Sequence, residues 1–133
     1  MSREVKDWID GYLLYTANSE PPTIYHHWGA LAVIAGALQR KVCLRMGFER
    51  IYPNQYVILV GHSGRTRKGV ALDIAYKMLT TLTTVSVAPE SSSREAIILA
   101  MKRSMQNFED PITGAINVHC SLTAFPEELA VLL

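Results

Sequence analysis

The stretch "GHSGRTRKG", residues 61–69, combines glycines with basic residues between an apolar run and an amphipathic one. A phosphate-binding loop needs glycines that let backbone N–H groups turn inward, a helix that begins at the loop, and a lysine that reaches the phosphates. Gly61 and Gly64 provide the flexibility, Ser63 a further donor and Lys68 the ammonium. The pattern therefore predicts nucleotide phosphate binding. The alternative is a basic surface turn whose cations stay in solvent.

This loop departs from the usual G-x-x-x-x-G-K-[ST] spacing. Lys68 falls one position late, Arg67 stands where the second glycine is usual, and Gly69 replaces the hydroxyl residue that ligates Mg²⁺. Binding is expected to survive, because the backbone, the helix dipole and Lys68 remain. Hydrolysis loses one protein ligand of Mg²⁺, for which water can substitute. The predicted nucleotide-binding residues are Gly61, His62, Ser63, Gly64, Arg65, Thr66, Arg67, Lys68 and Gly69.

Hydrolysis also requires an acid at the end of a neighbouring strand, to hold Mg²⁺ or to orient water. Glu127 and Glu128 follow a strand-like run, residues 115–125, and are the candidates for this role. An equally compatible interpretation places both glutamates in the first turn of a following helix, where they favour the helix dipole. Glu90 is a weaker candidate for the same acid.

Two other groups of residues, a histidine pair and a basic segment, could take part in chemistry. Adjacent His26 and His27 point to different sides of a helix and have no cysteine or carboxylate at suitable spacing, so no protein metal site is predicted. A basic segment before the loop contains Arg40, Lys41, Arg45 and Arg50. It fits either a contact with nucleic acid or an edge strand protected by charge.

Composition limits the function classes. The chain has 133 residues, 49% of them hydrophobic and 19% charged, which fits one ordered domain rather than a disordered chain. A net charge of +1 gives no overall field toward DNA or a membrane, so any basic function must be local. The longest apolar run, residues 28–38, is shorter than the roughly 20 residues that span a bilayer.

The cysteines and the two termini bear on the cellular setting. Cys43 and Cys120 lie far apart, and the first residues lack a basic-then-apolar secretion signal. Buried free thiols in a reducing cytosol are therefore expected rather than a disulfide. The apolar ending "EELAVLL" lacks a helix-terminating signal, which predicts that the chain is part of a longer protein.

Hydrophobic periodicity predicts the elements that must position the loop. Helices are expected at 3–17, 23–40, 69–82 and 91–105, the last with a capping box formed by Ser92 and Glu95, and strands at 42–48, 55–60, 83–88 and 115–125. Residues 49–54 are predicted as a turn and 106–114 as a loop. Because strands and helices alternate after residue 41, the sequence predicts an α/β fold with a parallel sheet. The run 55–60, apolar on both faces, would be its central strand.

The order of these motifs resembles a group of phage and mobile-element P-loop ATPases related to RecA-like replicative helicases and primase-helicases. The resemblance covers roughly residues 18–133. The matching motifs are Glu20, Pro21, Trp28, Arg40, Tyr52, Pro53, Asn54, Tyr56 and the loop 61–68, followed downstream by Glu128.

The resemblance implies an incomplete RecA-like core in residues 42–133, after an N-terminal helical pair in residues 1–41. It implies binding of ATP and Mg²⁺ and hydrolysis of ATP during DNA replication in a bacterial host cytoplasm. Lys68 would hold phosphates, and Glu128 or Glu127 would polarise water or position Mg²⁺. The active assembly would be a homo-oligomeric ring with an arginine from the neighbouring subunit. Gly69 departs from the Ser or Thr of many relatives.

Two alternatives stay open at the level of sequence. A DNA-packaging or other translocating ATPase would use the same core. A non-hydrolysing module would use the loop only to bind an anion or nucleic acid.

Overall fold

The computed structural model describes residues 7–88, 93–110 and 113–126. Within these ranges the helices are α1 (Trp8–Thr16), α2 (Thr23–Leu38), α3 (Lys68–Thr80) and α4 (Arg94–Arg103). The strands are β1 (Leu44–Met46), β2 (Glu49–Ile51), β3 (Met105–Glu109) and β4 (Ile116–Cys120). The described part is thus a small mixed α/β unit.

Helices α1 and α2 are the predicted N-terminal helical pair. Asp7 caps α1 by accepting a hydrogen bond from the Asp10 backbone N–H at 2.8 Å. Pro22 is the N-cap residue of α2, where its missing N–H interrupts no hydrogen bond within the helix. Helix α2 ends at Leu38, two residues earlier than predicted, because Gln39 adopts a positive φ of 49° and leaves the helix.

The hydrophobic core lies between α2 and α3. Val33 of α2 packs with Ala75 and Leu79 of α3, and all three side chains are buried. Gly36 permits close approach here, because a Cβ at this position would lie 2.9 Å from both a Leu79 methyl and the Thr123 hydroxyl. The core is completed by the partly buried residues Ala37, Met78, Val85, Val87 and Phe125.

The sequence places Ala71, Ala75, Met78, Leu79 and Leu82 on one side of the helix predicted at 69–82, and this apolar stripe is largely the buried face of α3. Ala71, Ala75 and Leu79 are buried there, and Met78 packs against them. Leu82 lies beyond the end of the helix and is 41% exposed. The 3.6-residue period therefore identified the face that packs against α2.

The strands form two separate antiparallel hairpins. Strand β1 pairs with β2, with Arg45 opposite Arg50, and β3 pairs with β4. The turn predicted at 49–54 and the loop predicted at 106–114 are wrong where β2 and β3 occupy them. Both hairpins are exposed on both faces over most of their length. Strands β2 and β3 therefore need no alternation of apolar and polar residues, which is the pattern by which strands are recognised in a sequence.

Residues 55–60, predicted as the central strand, lie in no strand, and Tyr56, Ile58 and Val60 are exposed. Val87 does pair in parallel with Thr123, where the Ala88 N–H donates to the Thr123 carbonyl at 2.8 Å. This pairing of Val87 with Thr123 is an isolated parallel bridge within the described residues. A RecA-like parallel sheet stays a prediction.

An ion pair connects the two hairpins. Arg50 of β2 lies 2.7 Å from the carboxylate of Asp110, which is buried at the end of β3. The Asp110 N–H also donates to the Ala115 carbonyl at 2.9 Å, at the base of the β3–β4 turn. One of the predicted basic residues is thus committed to a structural contact.

Helix α4 begins one residue later than its predicted cap would place it. Ser93 is the N-cap and accepts a hydrogen bond from the Ala96 N–H at 3.3 Å, while Ser92 lies outside the described residues. Glu95 has its pKa lowered by a hydrogen bond to its own backbone N–H and by another to the Ser93 hydroxyl. The capping signal located the helix to within one residue.

Cys43 and Cys120 are free thiols and are exposed rather than buried. The prediction of burial is wrong because the segments that carry them do not enter the core. In the part of the chain that the structure describes, no helix has the length and apolar character needed to cross a membrane.

Candidate phosphate-binding loop

The predicted loop connects residue 60 to the first turn of α3. Arg67 is the N-cap residue in the left-handed conformation, with φ 47° and ψ 41°, and Gly64 also has a positive φ, 74°. No side chain caps α3, and the Val70 N–H donates to the Arg67 carbonyl at 3.1 Å, so the N–H groups of Lys68 and Gly69 have no side-chain capping oxygen. A helix start of this kind offers N–H donors and the positive end of the helix dipole to an anion.

Lys68, the first residue of α3, points back across the loop. Its ammonium donates a hydrogen bond to the Gly61 carbonyl at 2.7 Å in a partly buried position. The Thr66 hydroxyl donates to the His62 carbonyl at 3.2 Å and closes a second link within the loop. The loop therefore curls around its lysine, and the ammonium faces the loop backbone.

Helix α2 supports the loop from the other side. The Tyr25 hydroxyl donates a hydrogen bond to the Val60 carbonyl at 2.7 Å. A Cβ at position 61 would collide with that hydroxyl and lie 2.7 Å from the Thr66 hydroxyl oxygen. Gly61 is therefore required by the close approach of α2 to the loop rather than by a positive φ.

An ion pair joins the α1–α2 connection to the loop. The Glu20 carboxylate lies 2.9 Å from Nε of Arg67, and both side chains are more than half exposed. Pro21, next to Glu20, is buried and so anchors the connection. The sequence identifies Glu20 only as part of the motif order, and no local signal indicates that it meets Arg67.

The remaining predicted binding residues form the solvent-exposed part of the loop. His62, Ser63, Gly64, Arg65 and Gly69 are exposed. Arg65, Arg67 and Lys68 give the loop three cations, and Glu20 pairs with one of them, Arg67. The electrostatic balance of the loop is therefore positive and suits an anion.

The predicted acids Glu127 and Glu128, and the weaker candidate Glu90, lie outside the described residues. The strand-like run before them ends at Phe125, which packs edge-on against Tyr76 of α3 with 5.9 Å between ring centroids. The segment that precedes the predicted acids therefore contacts α3, the helix that begins at the loop. The position of the acids themselves stays a prediction.

Mg²⁺ would have no side-chain ligand from position 69 of the loop. Gly69 has no side chain, whereas Ser63 and Thr66 carry hydroxyl oxygens, and the Thr66 hydroxyl donates its proton to the His62 carbonyl. Among residues 7–88, 93–110 and 113–126, no group of three His, Cys, Asp or Glu side chains could hold a metal ion. Water can take the place of the missing hydroxyl ligand of Mg²⁺.

His26, the first residue of the histidine pair, is part of the packing between α1 and α2. His26 is buried and its Nε2 lies 2.7 Å from the Ser19 hydroxyl, whose own proton is donated to the Thr16 carbonyl at 2.6 Å. The serine oxygen therefore accepts from Nε2–H. Burial lowers the pKa of His26 and raises that of neighbouring Tyr12 to about 12.

A comparison with protein-family models, curated proteins and solved structures finds no match to this chain.

Proposed function

We propose that residues 61–69 bind the phosphate groups of a nucleotide, with ATP as the ligand. The observation that carries this proposal is the inward position of Lys68 at an uncapped helix start. A surface turn that merely carries charge would leave its lysine in solvent. Here the ammonium is held within 2.7 Å of the backbone that would surround the ligand.

Binding requires one exchange of partners at Lys68. The ammonium leaves the Gly61 carbonyl and donates instead to a phosphate oxygen, which is a charged and therefore stronger acceptor. The N–H groups at the start of α3 donate to the same phosphate, and the helix dipole favours its negative charge. The Tyr25 contact with Val60 keeps the end of the preceding segment in place during this exchange.

The finer proposal is hydrolysis of ATP by a motor that acts in phage or mobile-element DNA replication. Lys68 would stabilise charge on the transferred phosphoryl group, and Glu128 or Glu127 would polarise the attacking water. Mg²⁺ accompanies ATP in such reactions and neutralises phosphate charge. The resemblance of the motif order to P-loop ATPases supports this proposal, as do the loop contacts around Lys68.

A non-hydrolysing anion-binding module is the second candidate. It is favoured by Gly69, which has no hydroxyl at the position where a P-loop residue ligates Mg²⁺. This residue leaves the phosphate contacts intact while removing the usual hydroxyl ligand for Mg²⁺. Binding and hydrolysis must therefore be measured separately.

Lys68→Ala tests the binding site directly. Titration of a fluorescent ATP analogue, with and without Mg²⁺, should show a loss of affinity of roughly 10-fold or more, because a hydrogen bond to a charged group contributes about 1.5–3 kcal/mol. Lys77→Ala is the matched control, because Lys77 lies on the same helix and pairs with Asp73 in solvent. It should bind as the unmodified protein does. Equal binding by both variants would contradict the proposed site.

Phosphate release separates the two candidates once binding is established. A motor should release phosphate from ATP in the presence of Mg²⁺, and single-stranded DNA should stimulate that release. Binding without phosphate release under any of these conditions would favour the non-hydrolysing module.

A further inference from the structure

Two adjacent cations of the loop face different acceptors. Lys68 donates to the Gly61 carbonyl inside the loop, whereas Arg67 pairs with Glu20 on the connection between α1 and α2. The Arg67 guanidinium is thus held by a carboxylate that belongs to a different part of the chain.

We infer that Glu20 sets the affinity of the loop for phosphate by competing with the ligand for Arg67. Without an anion, the carboxylate neutralises the guanidinium and holds it toward the α1–α2 connection. A bound triphosphate offers Arg67 a stronger, bidentate acceptor and displaces the carboxylate. This inference rests on the proposed function, because it concerns the same loop.

The backbone fixes both partners of this ion pair close to the loop. Arg67 is the N-cap of α3 in the left-handed conformation, which a non-glycine residue adopts only where the surrounding structure holds it. Glu20 precedes the buried Pro21 and, after it, Pro22 at the start of α2. Tyr25 of α2 also donates a hydrogen bond to the Val60 carbonyl, just before the loop. Helix α2 therefore connects Glu20 to the loop over a short distance along the chain.

The strength of the pair suits competition. Both side chains are more than half exposed, and exposed ion pairs are weak because water and salt screen them. A phosphate group that binds Arg67 together with the helix start can therefore displace Glu20. The same carboxylate repels any anion in the loop, so its removal should tighten binding rather than weaken it.

Four variants test this inference by titration with the fluorescent ATP analogue. Glu20→Gln should bind about twofold to fivefold more tightly than the unmodified protein, as expected for the loss of an exposed ion pair. Arg67→Gln should bind more weakly. In the Arg67→Gln background, Glu20→Gln should have a smaller effect than alone, which is the coupling expected if Glu20 acts through Arg67.

Asp73→Asn is the matched control for charge. It changes the net charge by the same amount as Glu20→Gln and breaks an exposed ion pair, Asp73–Lys77 at 3.1 Å, on the body of α3. It should leave affinity unchanged. The effect of Glu20→Gln should also shrink at high salt, since exposed charges are screened.

The outcomes separate this inference from the proposed function. If the unmodified protein does not bind the analogue, both proposals fail. If binding depends on Lys68 but Glu20→Gln binds no more tightly, or Asp73→Asn tightens binding equally, the role of Glu20 is overturned and the site remains. Weaker binding by Glu20→Gln, with unchanged thermal unfolding, would also overturn it, because Glu20 would then support the loop.

Discussion

The helix pair α2–α3 and the two β-hairpins differ in how they use apolar residues. In the helix pair, Leu79 is fully buried and Val33 is 4% exposed. In the hairpins, Leu44 is 63% exposed and Ile116 is 75% exposed. Apolar and β-branched residues are therefore not enough to place a segment in the core. A strand pair becomes part of a core only when another layer covers one of its faces.

The candidate site is built on the better packed of these two regions. Helix α3 begins at the loop and buries Ala71, Ala75 and Leu79, while α2 supplies Tyr25 to the residue before the loop. A phosphate site needs donors held in place before the ligand arrives. The helical region meets that need, and the exposed hairpins do not.

The largest expected effect of a single substitution is in the helical core. Leu79→Ala should lower the free energy of unfolding by about 2–5 kcal/mol, because it leaves a cavity between α2 and α3. Urea unfolding followed by circular dichroism measures this change. Leu82→Ala is the control just beyond the same helix, and its effect should be clearly smaller because Leu82 is 41% exposed. Similar losses for both variants would contradict the described core.

An intermediate effect is expected from pH at the α1–α2 contact. Because burial lowers the pKa of His26, the folded state favours the neutral ring. This contribution to stability is present above the unfolded pKa of about 6.5 and is lost as pH falls through the lower folded value. The free energy of unfolding, measured by urea titration from pH 7.5 to 5.5, should therefore decrease toward acid.

Two variants test whether His26 causes the pH dependence of the free energy of unfolding. His26→Gln should reduce the slope, because it removes one buried titrating ring, while His119, whose pKa is also lowered by burial, retains part of it. His27→Gln removes the neighbouring, less buried histidine and should leave the slope in place. A slope that persists in His26→Gln and disappears in His27→Gln would reverse the assignment.

The smallest effect is expected in the first hairpin. Phe48 is fully exposed at the β1–β2 turn, so Phe48→Ala should change the free energy of unfolding by less than about 0.5 kcal/mol. Phe125→Ala is the comparison, since Phe125 packs against the core and against Tyr76. It should destabilise the protein measurably more in the same urea experiment. A large loss for Phe48→Ala would mean that the hairpin is covered in solution.

Helix periodicity proved more informative than strand patterning in this chain. The stripe through Ala71, Ala75 and Leu79 marked the buried face of α3. The spacing of residues within one helix fixes which side chains share a face, whatever the helix packs against. Residues 55–60 carry a strong strand pattern but have no ladder partner within the described residues. Strand pairing depends on a second segment, and a single run of residues does not specify it.

The sequence alone determined the existence of the four helices, the position of the glycine-rich basic loop and a helix start next to Lys68. These features depend on local backbone preferences and on side-chain spacing within one segment. Only the tertiary structure decided that Lys68 turns onto Gly61, that Tyr25 closes the space at position 61 and that Glu20 meets Arg67. Most of these contacts join residues from different elements, and their geometry depends on how α2 and α3 pack together.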